Sequence, residues 1–294
     1  MLNDPQLSQE YKIRAITRDL NSEKSKQLRE KVEVVSGSLD DRTSIEAALT
    51  GVQTVFLMTP PSLKPGGMLD EYNAAKMVAD VAIEKGLEYI IFSTLPPVTE
   101  ISGGKYTKVL PFDAKAKAEQ YIRGLPIKSA FFFPGGFMEN FLNQPFSVPH
   151  KAPDGTWVLS RHHSPECQIP LIDAVGDTGK FVGAILAEPD KYEGETFHAA
   201  TALYTMDEVA AVMSKATGKT VVFKQVSVEE LRDILPFKDE TIVSIFIEAY
   251  SYSEEFGYFG RQDAEELVSW AVENARGRPS TLEEFFEAHP LHLE

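Results

Sequence analysis

In an open parallel sheet, ligands bind at the carboxyl ends of the strands, so the residues closing or following β-rich runs are where chemistry is sought first. Here they are Arg18 after residues 12–17 (KIRAIT), Leu39 and Asp40 after 32–35 (VEVV), Thr59 and Pro60 after 54–58 (TVFLM), Ser93 and Thr94 at the end of 89–93 (YIIFS), and Pro134 after 128–133 (KSAFFF). Ser93 could orient a substrate carbonyl, and a buried hydroxyl capping its own loop fits the same position. Thr and Pro after a strand are also ordinary turn residues. The usual phosphate cradle, a G-x-G-x-x-G loop after the first strand, is missing, since the first glycine is Gly37. If KIRAIT is the second strand of such a fold, residues 3–9 end the first helix, and the first strand with its glycine loop falls before Met1.

Other reactive types are less well placed. His162 and His163 are adjacent, so their rings point apart, and no carboxylates stand at matching spacing; they read as surface or domain-contact residues, not metal ligands. Cys167, the single cysteine, has no His or Asn partner fixed by spacing and reads as an inert buried thiol. It cannot form an internal disulfide, which suits a reducing compartment. Phe131, Phe132 and Phe133 read as strand core, with Phe137 and Phe141 as pocket walls. Trp157, Tyr250, Tyr252, Phe256, Tyr258 and Phe259 could line an apolar cleft or a partner surface.

The elements that must hold these residues alternate. Helical patterns over 22–30, 42–49, 69–85 and 112–123 separate the strands, with Gly51, Gly86 and Gly124 where left-handed C-terminal caps would sit. Repeated strand–helix–strand units predict an α/β fold with a parallel sheet. After Gly136 the rhythm loosens into a strand at 168–171, a helix at 173–188, a strand at 196–200, a helix at 207–216 closed by Gly218, and a strand at 220–226. Ser227 with Glu230, and Thr281 with Glu284, have capping-box spacing. We therefore expect one domain from 1–137 with 164–188 and a smaller α+β domain from 138–163 with 189–294.

Composition narrows the function classes. The chain is 43% hydrophobic and 25% charged, ordinary for a globular protein. It carries 29 Lys and Arg against 44 Asp and Glu, a formal charge of −15, which repels nucleic-acid backbones and argues against direct nucleic-acid binding. No apolar run approaches the ~18 residues of a membrane helix, and the first ten residues lack a signal-peptide pattern. A soluble, cytoplasmic protein is expected.

The ordered series Thr17-Arg18, Ser38-Leu39-Asp40-Asp41, the segment from Val55 to Pro60, Ile91-Phe92-Ser93-Thr94-Leu95-Pro96, Phe112-Asp113-Ala114-Lys115, the segment from Phe133 to Phe141, and Ile172-Asp173-Ala174-Val175-Gly176 resembles the NmrA-like family of atypical short-chain dehydrogenases. The resemblance implies a Rossmann-like, doubly wound parallel sheet, truncated at its N-terminus, that binds NADP(H) or NAD(H). NADP(H) is favoured because the Arg18 guanidinium would match the adenosine 2′-phosphate. Leu39 and Asp40 would flank the adenine, and Thr59, Pro60 and Pro134 the nicotinamide half, with Phe137 and Asn140 among the cofactor-binding residues.

Lys115 matches the lysine of the dehydrogenase Y-x-x-x-K pair, which holds the nicotinamide ribose and lowers the tyrosine pKa. The tyrosine position is Pro111, so that proton relay is absent; Tyr106 stands in the preceding loop. Lys115 and Ser93 are the candidate catalytic residues. Apart from the resemblance, Lys115 reads as a surface lysine paired with Glu119. Two functions follow: an oxidoreductase for a small apolar carbonyl or enone, or a non-enzymatic NADP(H) sensor binding a regulatory protein partner, nuclear in that case. A monomer or homodimer is expected. Lacking the first strand, the sheet would have two unpaired inner edges, and the chain would bind NADPH poorly and be less stable than one extended upstream by about 20 to 25 residues.

Overall fold

Tyr89, Ile90, Ile91, Phe92 and Ser93 are all buried, the mark of a strand covered on both faces. It is one of twelve strands among the residues described by the computed structural model, which are 2–61 and 67–293. In chain order these are β1 (Arg14–Thr17), β2 (Glu33–Ser36), β3 (Thr54–Leu57), β4 (Tyr89–Ser93), β5 (Lys128–Pro134), β6 (Gly136–Phe137), β7 (His150–Lys151), β8 (Trp157–Arg161), β9 (Gln168–Ile172), β10 (Thr196–Ala199), β11 (Ala202–Thr205) and β12 (Val221–Gln225). The chain divides into a first unit of Met1–Thr94, Ala114–Phe131 and Val182–Thr196, and a second of Leu95–Asp113, Phe132–Phe181 and Phe197–Glu294.

In the first unit β1 runs parallel to β2 and β3 parallel to β4. β1 and β2 form a two-stranded sheet, and β3 and β4 belong to a four-stranded one of order β10-β5-β4-β3, whose β5 and β10 continue past the bounds of the first unit; among the described residues no ladder joins β1 to β3. Helices intervene as the strand–helix alternation predicts, giving an α/β fold. The helix Arg42–Ala48 starts where Asp41 accepts the backbone N–H groups of Thr43 and Ser44. The helix Gly67–Glu84 buries Glu71, Ala75, Val78, Ala79 and Ala82 along one stripe. Its small apolar residues pack with Leu57, Ile90, Phe92 and Phe131 in one core cluster. Burial of each large side chain there contributes about 1.5–3 kcal/mol.

The helix Leu110–Arg123 accommodates Pro111 because the ring sits in its first turn, where the missing N–H has no helical acceptor. Positive φ is found at Gly51 and Gly86 but not at Gly124, where the expected left-handed cap does not form.

In the second unit β8 is flanked by β7, antiparallel, and β12, parallel, while β9 is flanked by β11, antiparallel, and β6, parallel. Capping boxes form at Ser227 and Thr281, and also at Thr205. Gly218 takes φ of 67° at the end of the helix Met206–Thr217. Phe141 is not a pocket wall: it is buried with Met138, Trp157 and Phe285 in the core of this unit. Gly135 passes so close to β9 that a Cβ there would lie 2.6 Å from the Pro170 carbonyl oxygen. No helix among the described residues is long and apolar enough to cross a membrane.

Candidate functional site

Three polar side chains meet in the first unit: Thr59, just beyond the end of β3, Glu71 on the helix Gly67–Glu84, and Lys115 on the helix Leu110–Arg123. The Lys115 ammonium donates to the Thr59 carbonyl oxygen at 2.6 Å, to Thr59 Oγ1 at 2.8 Å and to Glu71 Oε1 at 2.5 Å. Thr59 Oγ1 in turn donates to Glu71 Oε1 at 2.8 Å. The side chains of Lys115 and Glu71 are only 9% and 1% exposed. An ammonium has three N–H donors, so all of those on Lys115 are engaged. Burial pushes its pKa below the ordinary lysine value, opposed by the charge and hydrogen bond of Glu71.

Glu71 Oε2 is buried and has no hydrogen-bond partner among the described residues. A buried carboxylate oxygen left without a donor costs about 1–3 kcal/mol, and a ligand hydroxyl arriving there would remove that cost. The arrangement is therefore suited to accepting a ligand hydroxyl at Glu71 Oε2, beside a Lys115 cation whose own donors are held within the cluster.

Lys115 is thus not the surface partner of Glu119. Burial on this face of the helix directs it to Glu71, while Glu119 accepts from Arg123 at 2.8 Å and from Thr94 Oγ1 at 2.6 Å. Sequence reasoning missed Glu71. Its signal was present: an acid at the head of the apolar series Ala75, Val78, Ala79 and Ala82 lies on the buried stripe of its helix.

The remaining residues of the first unit stand apart from this cluster. Arg18 is exposed in the bend after β1 and bonds to no described side chain. Leu39 packs against the first-unit core, and Asp40 is exposed, its N–H 3.4 Å from Ser38 Oγ. Pro60 is exposed, whereas Ser93 is buried at the end of β4 and is not among the acceptors of Lys115. Of the proposed residues, the structure joins Thr59 and Lys115.

Pro134, Phe137 and Asn140 belong to the second unit. Pro134 is buried at the end of β5, Phe137 is 41% exposed, and Asn140 Oδ1 accepts from Gln144 Nε2 at 2.9 Å. Tyr106 Oη donates to Glu255 at 2.8 Å. Cys167 is buried, and desolvation pushes its thiol up to about 12, as befits an inert thiol. Among the described residues no group of His, Cys, Asp and Glu could hold a metal ion. A cavity of about 300 Å³ in this unit is lined by Cys167, Tyr258, Phe259, Arg261 and Glu265, among others.

The model of the NmrA-like family matches residues 3–286. The NmrA-like family domain-containing oxidoreductase FrzB of Cladobotryum sp is 28% identical over 244 residues, spanning 74% of this chain and 69% of that protein. Among solved structures, NmrA, a negative transcriptional regulator in complex with NAD, matches with a TM-score of 0.79 at 20% identity, covering 95% of this chain and 90% of its own. The Citrobacter sp. triphenylmethane reductase complexed with NADP(H) matches with a TM-score of 0.70 at 19% identity, covering 94% and 90% respectively. At such identities these structures bear on the fold, which is Rossmann-like.

Proposed function

The chain belongs to the NmrA-like family, and from that premise we propose that it binds NADP(H) in preference to NAD(H) and acts as an atypical short-chain oxidoreductase on a small apolar carbonyl or enone. The observation that carries this reading is the buried cluster of Thr59, Glu71 and Lys115 beyond the end of β3, with one acceptor, Glu71 Oε2, still unpartnered. Those residues fit a ribose. Arg18, free at the carboxyl end of β1, fits a 2′-phosphate. Leu39 and Asp40 would border the adenine, and Pro60 the nicotinamide half. In this reading the first unit carries the dinucleotide and the second recognises the substrate.

When bound, the dinucleotide supplies or accepts hydride. What the chain itself supplies is positioning and charge: Thr59 and Glu71 fix the Lys115 ammonium, and the lysine provides a buried cation. It supplies no phenol four residues before Lys115, where Pro111 stands. Protonation of the product then falls to solvent, which suits an enone, whose charge is delocalised on reduction, better than an isolated ketone.

A second reading, a dinucleotide-sensing regulator with a protein partner, is favoured by the same Pro111 together with a lysine whose three N–H groups are already engaged. Calorimetric titration with NADPH and NADH, followed by nicotinamide absorbance with a panel of enones, quinones and aldehydes, separates the two. The oxidoreductase reading expects tighter NADPH binding and turnover with at least one enone. Binding without turnover favours the sensor, and absence of binding by either dinucleotide overturns both.

A further inference from the structure

Arg161, the last residue of β8, is 5% exposed and has no carboxylate within ion-pair distance among the described residues. Its guanidinium donates only to neutral acceptors: Nη1 to the carbonyl oxygens of Phe146 and Ser160, each at 2.7 Å, and Nη2 to Ser147 Oγ at 2.8 Å. A guanidinium has five N–H groups. Nε–H and one N–H on Nη2 therefore have no acceptor among the described residues.

Two positions on, His163 is 2% exposed, and neither of its ring nitrogens has a partner among the described residues. Both side chains border one ring: Arg161 Cζ lies 5.3 Å from the Tyr250 centroid, and the His163 ring meets Tyr250 edge-on at 5.0 Å. The neighbouring His162 bonds Ser251 Oγ through Nε2 at 2.9 Å and leaves Nδ1 unpartnered.

The Arg161 charge acts on both imidazoles. Arg161 and His162 both oppose protonation of His163. Glu254 acts on His162 and accepts the Ser164 N–H at 2.9 Å. A chain with 44 acidic residues thus leaves a buried arginine without a counter-ion, beside an imidazole without a partner. A metal cation would be repelled there, and water would leave the charge unbalanced. An oxygen anion satisfies both groups at once, because two N–H groups of one guanidinium match two oxygens of a carboxylate or phosphate and the imidazole donates a further bond.

We propose that the second unit carries an oxyanion site in which Arg161 and His163 together hold a carboxylate or phosphate group. The proposal is independent of dinucleotide binding. Its test is the melting temperature of the full chain and the NMR titration of the His163 ring, each followed against sodium phosphate and sodium acetate at ionic strength held constant with chloride. A saturable rise in melting temperature is expected, with the His163 midpoint moving upward. Saturation by phosphate alone identifies a phosphate ligand, and by acetate alone a carboxylate.

Arg161→Met should weaken the response roughly tenfold or more. Since the guanidinium also ties β8 to Phe146 and Ser147, that variant could fail to fold; His163→Gln keeps the tie and should still weaken the response severalfold and remove the NMR signal. Absence of a saturable response to either anion in the wild type, or His163→Gln responding as the wild type does, overturns the proposal and leaves Arg161 as a clamp on its loop.

Discussion

Glu71 and Lys115 stand 44 positions apart in the chain, yet a 2.5 Å hydrogen bond joins the ammonium of one to the carboxylate of the other. The bond ties the helix Gly67–Glu84 to the helix Leu110–Arg123 just beyond the end of β3, with Thr59 bonded to both partners. Neither charge is solvated, so each depends on the other.

That dependence predicts a large and asymmetric effect on stability. Lys115→Met strands a buried carboxylate and should cost about 3–5 kcal/mol. The double variant Lys115→Met with Glu71→Leu should recover much of the loss, because no charge is left buried. Urea unfolding of the single and double variants measures both; a single variant as stable as the wild type would contradict the pair's interdependence.

Arg18 gives a prediction about selectivity. Arg18→Ala should weaken NADPH binding by about 10- to 100-fold, the worth of a charge-assisted hydrogen bond, and leave NADH nearly unchanged. Equal losses for both dinucleotides would remove Arg18 from the 2′-phosphate.

His163 gives a pH dependence. Burial, aided by Arg161 and His162, pulls its pKa from 6.5 down to about 3. In that interval the unfolded chain binds a proton that the folded one refuses. The contribution is whole above the unfolded value and is lost as pH falls, at about 1.4 kcal/mol per pH unit. His163→Gln should therefore flatten the stability profile between about pH 4 and 6. Parallel slopes for wild type and variant in chemical denaturation would show that the imidazole takes up its proton in the folded state.

Cys167 should resist aromatic disulfide reagents at neutral pH, since its thiol is held up to about 12 by burial, and react fully once the protein is denatured. Rapid labelling of the native protein would mean that the segment over the thiol opens.

Gly135→Ala should destabilise the second unit by about 1–3 kcal/mol, because its Cβ would be forced against the Pro170 carbonyl, which is backbone and cannot swing aside. Thermal unfolding would detect the shift, and an unchanged midpoint would show that β9 can retreat.

Much of this architecture was legible because its signals are local. The run 89–93 is a strand with the expected bounds, and the boxes at Ser227 and Thr281 form where the spacing places them. β8 escaped notice because a strand ending in Ser160 and Arg161 has neither alternation nor a continuous apolar run, although every residue of it is buried. At the site, strand ends and family motif pointed to Thr59 and Lys115, but the lysine's partner is set by tertiary packing. An i,i+4 rule offers Glu119 and knows nothing of a helix that arrives from another part of the chain. Phe141 was misplaced for the same reason, since an aromatic after a strand reads alike whether it faces a ligand or Trp157 and Phe285.

The chain passes between the two units five times, at Thr94/Leu95, Asp113/Ala114, Phe131/Phe132, Phe181/Val182 and Thr196/Phe197. Neither unit is therefore a contiguous cassette that could be excised at one end and grafted onto another protein. A protease that nicks one of these passages leaves the chain still crossing from one unit to the other at the remaining four, a redundancy that a two-bead protein with one linker does not have.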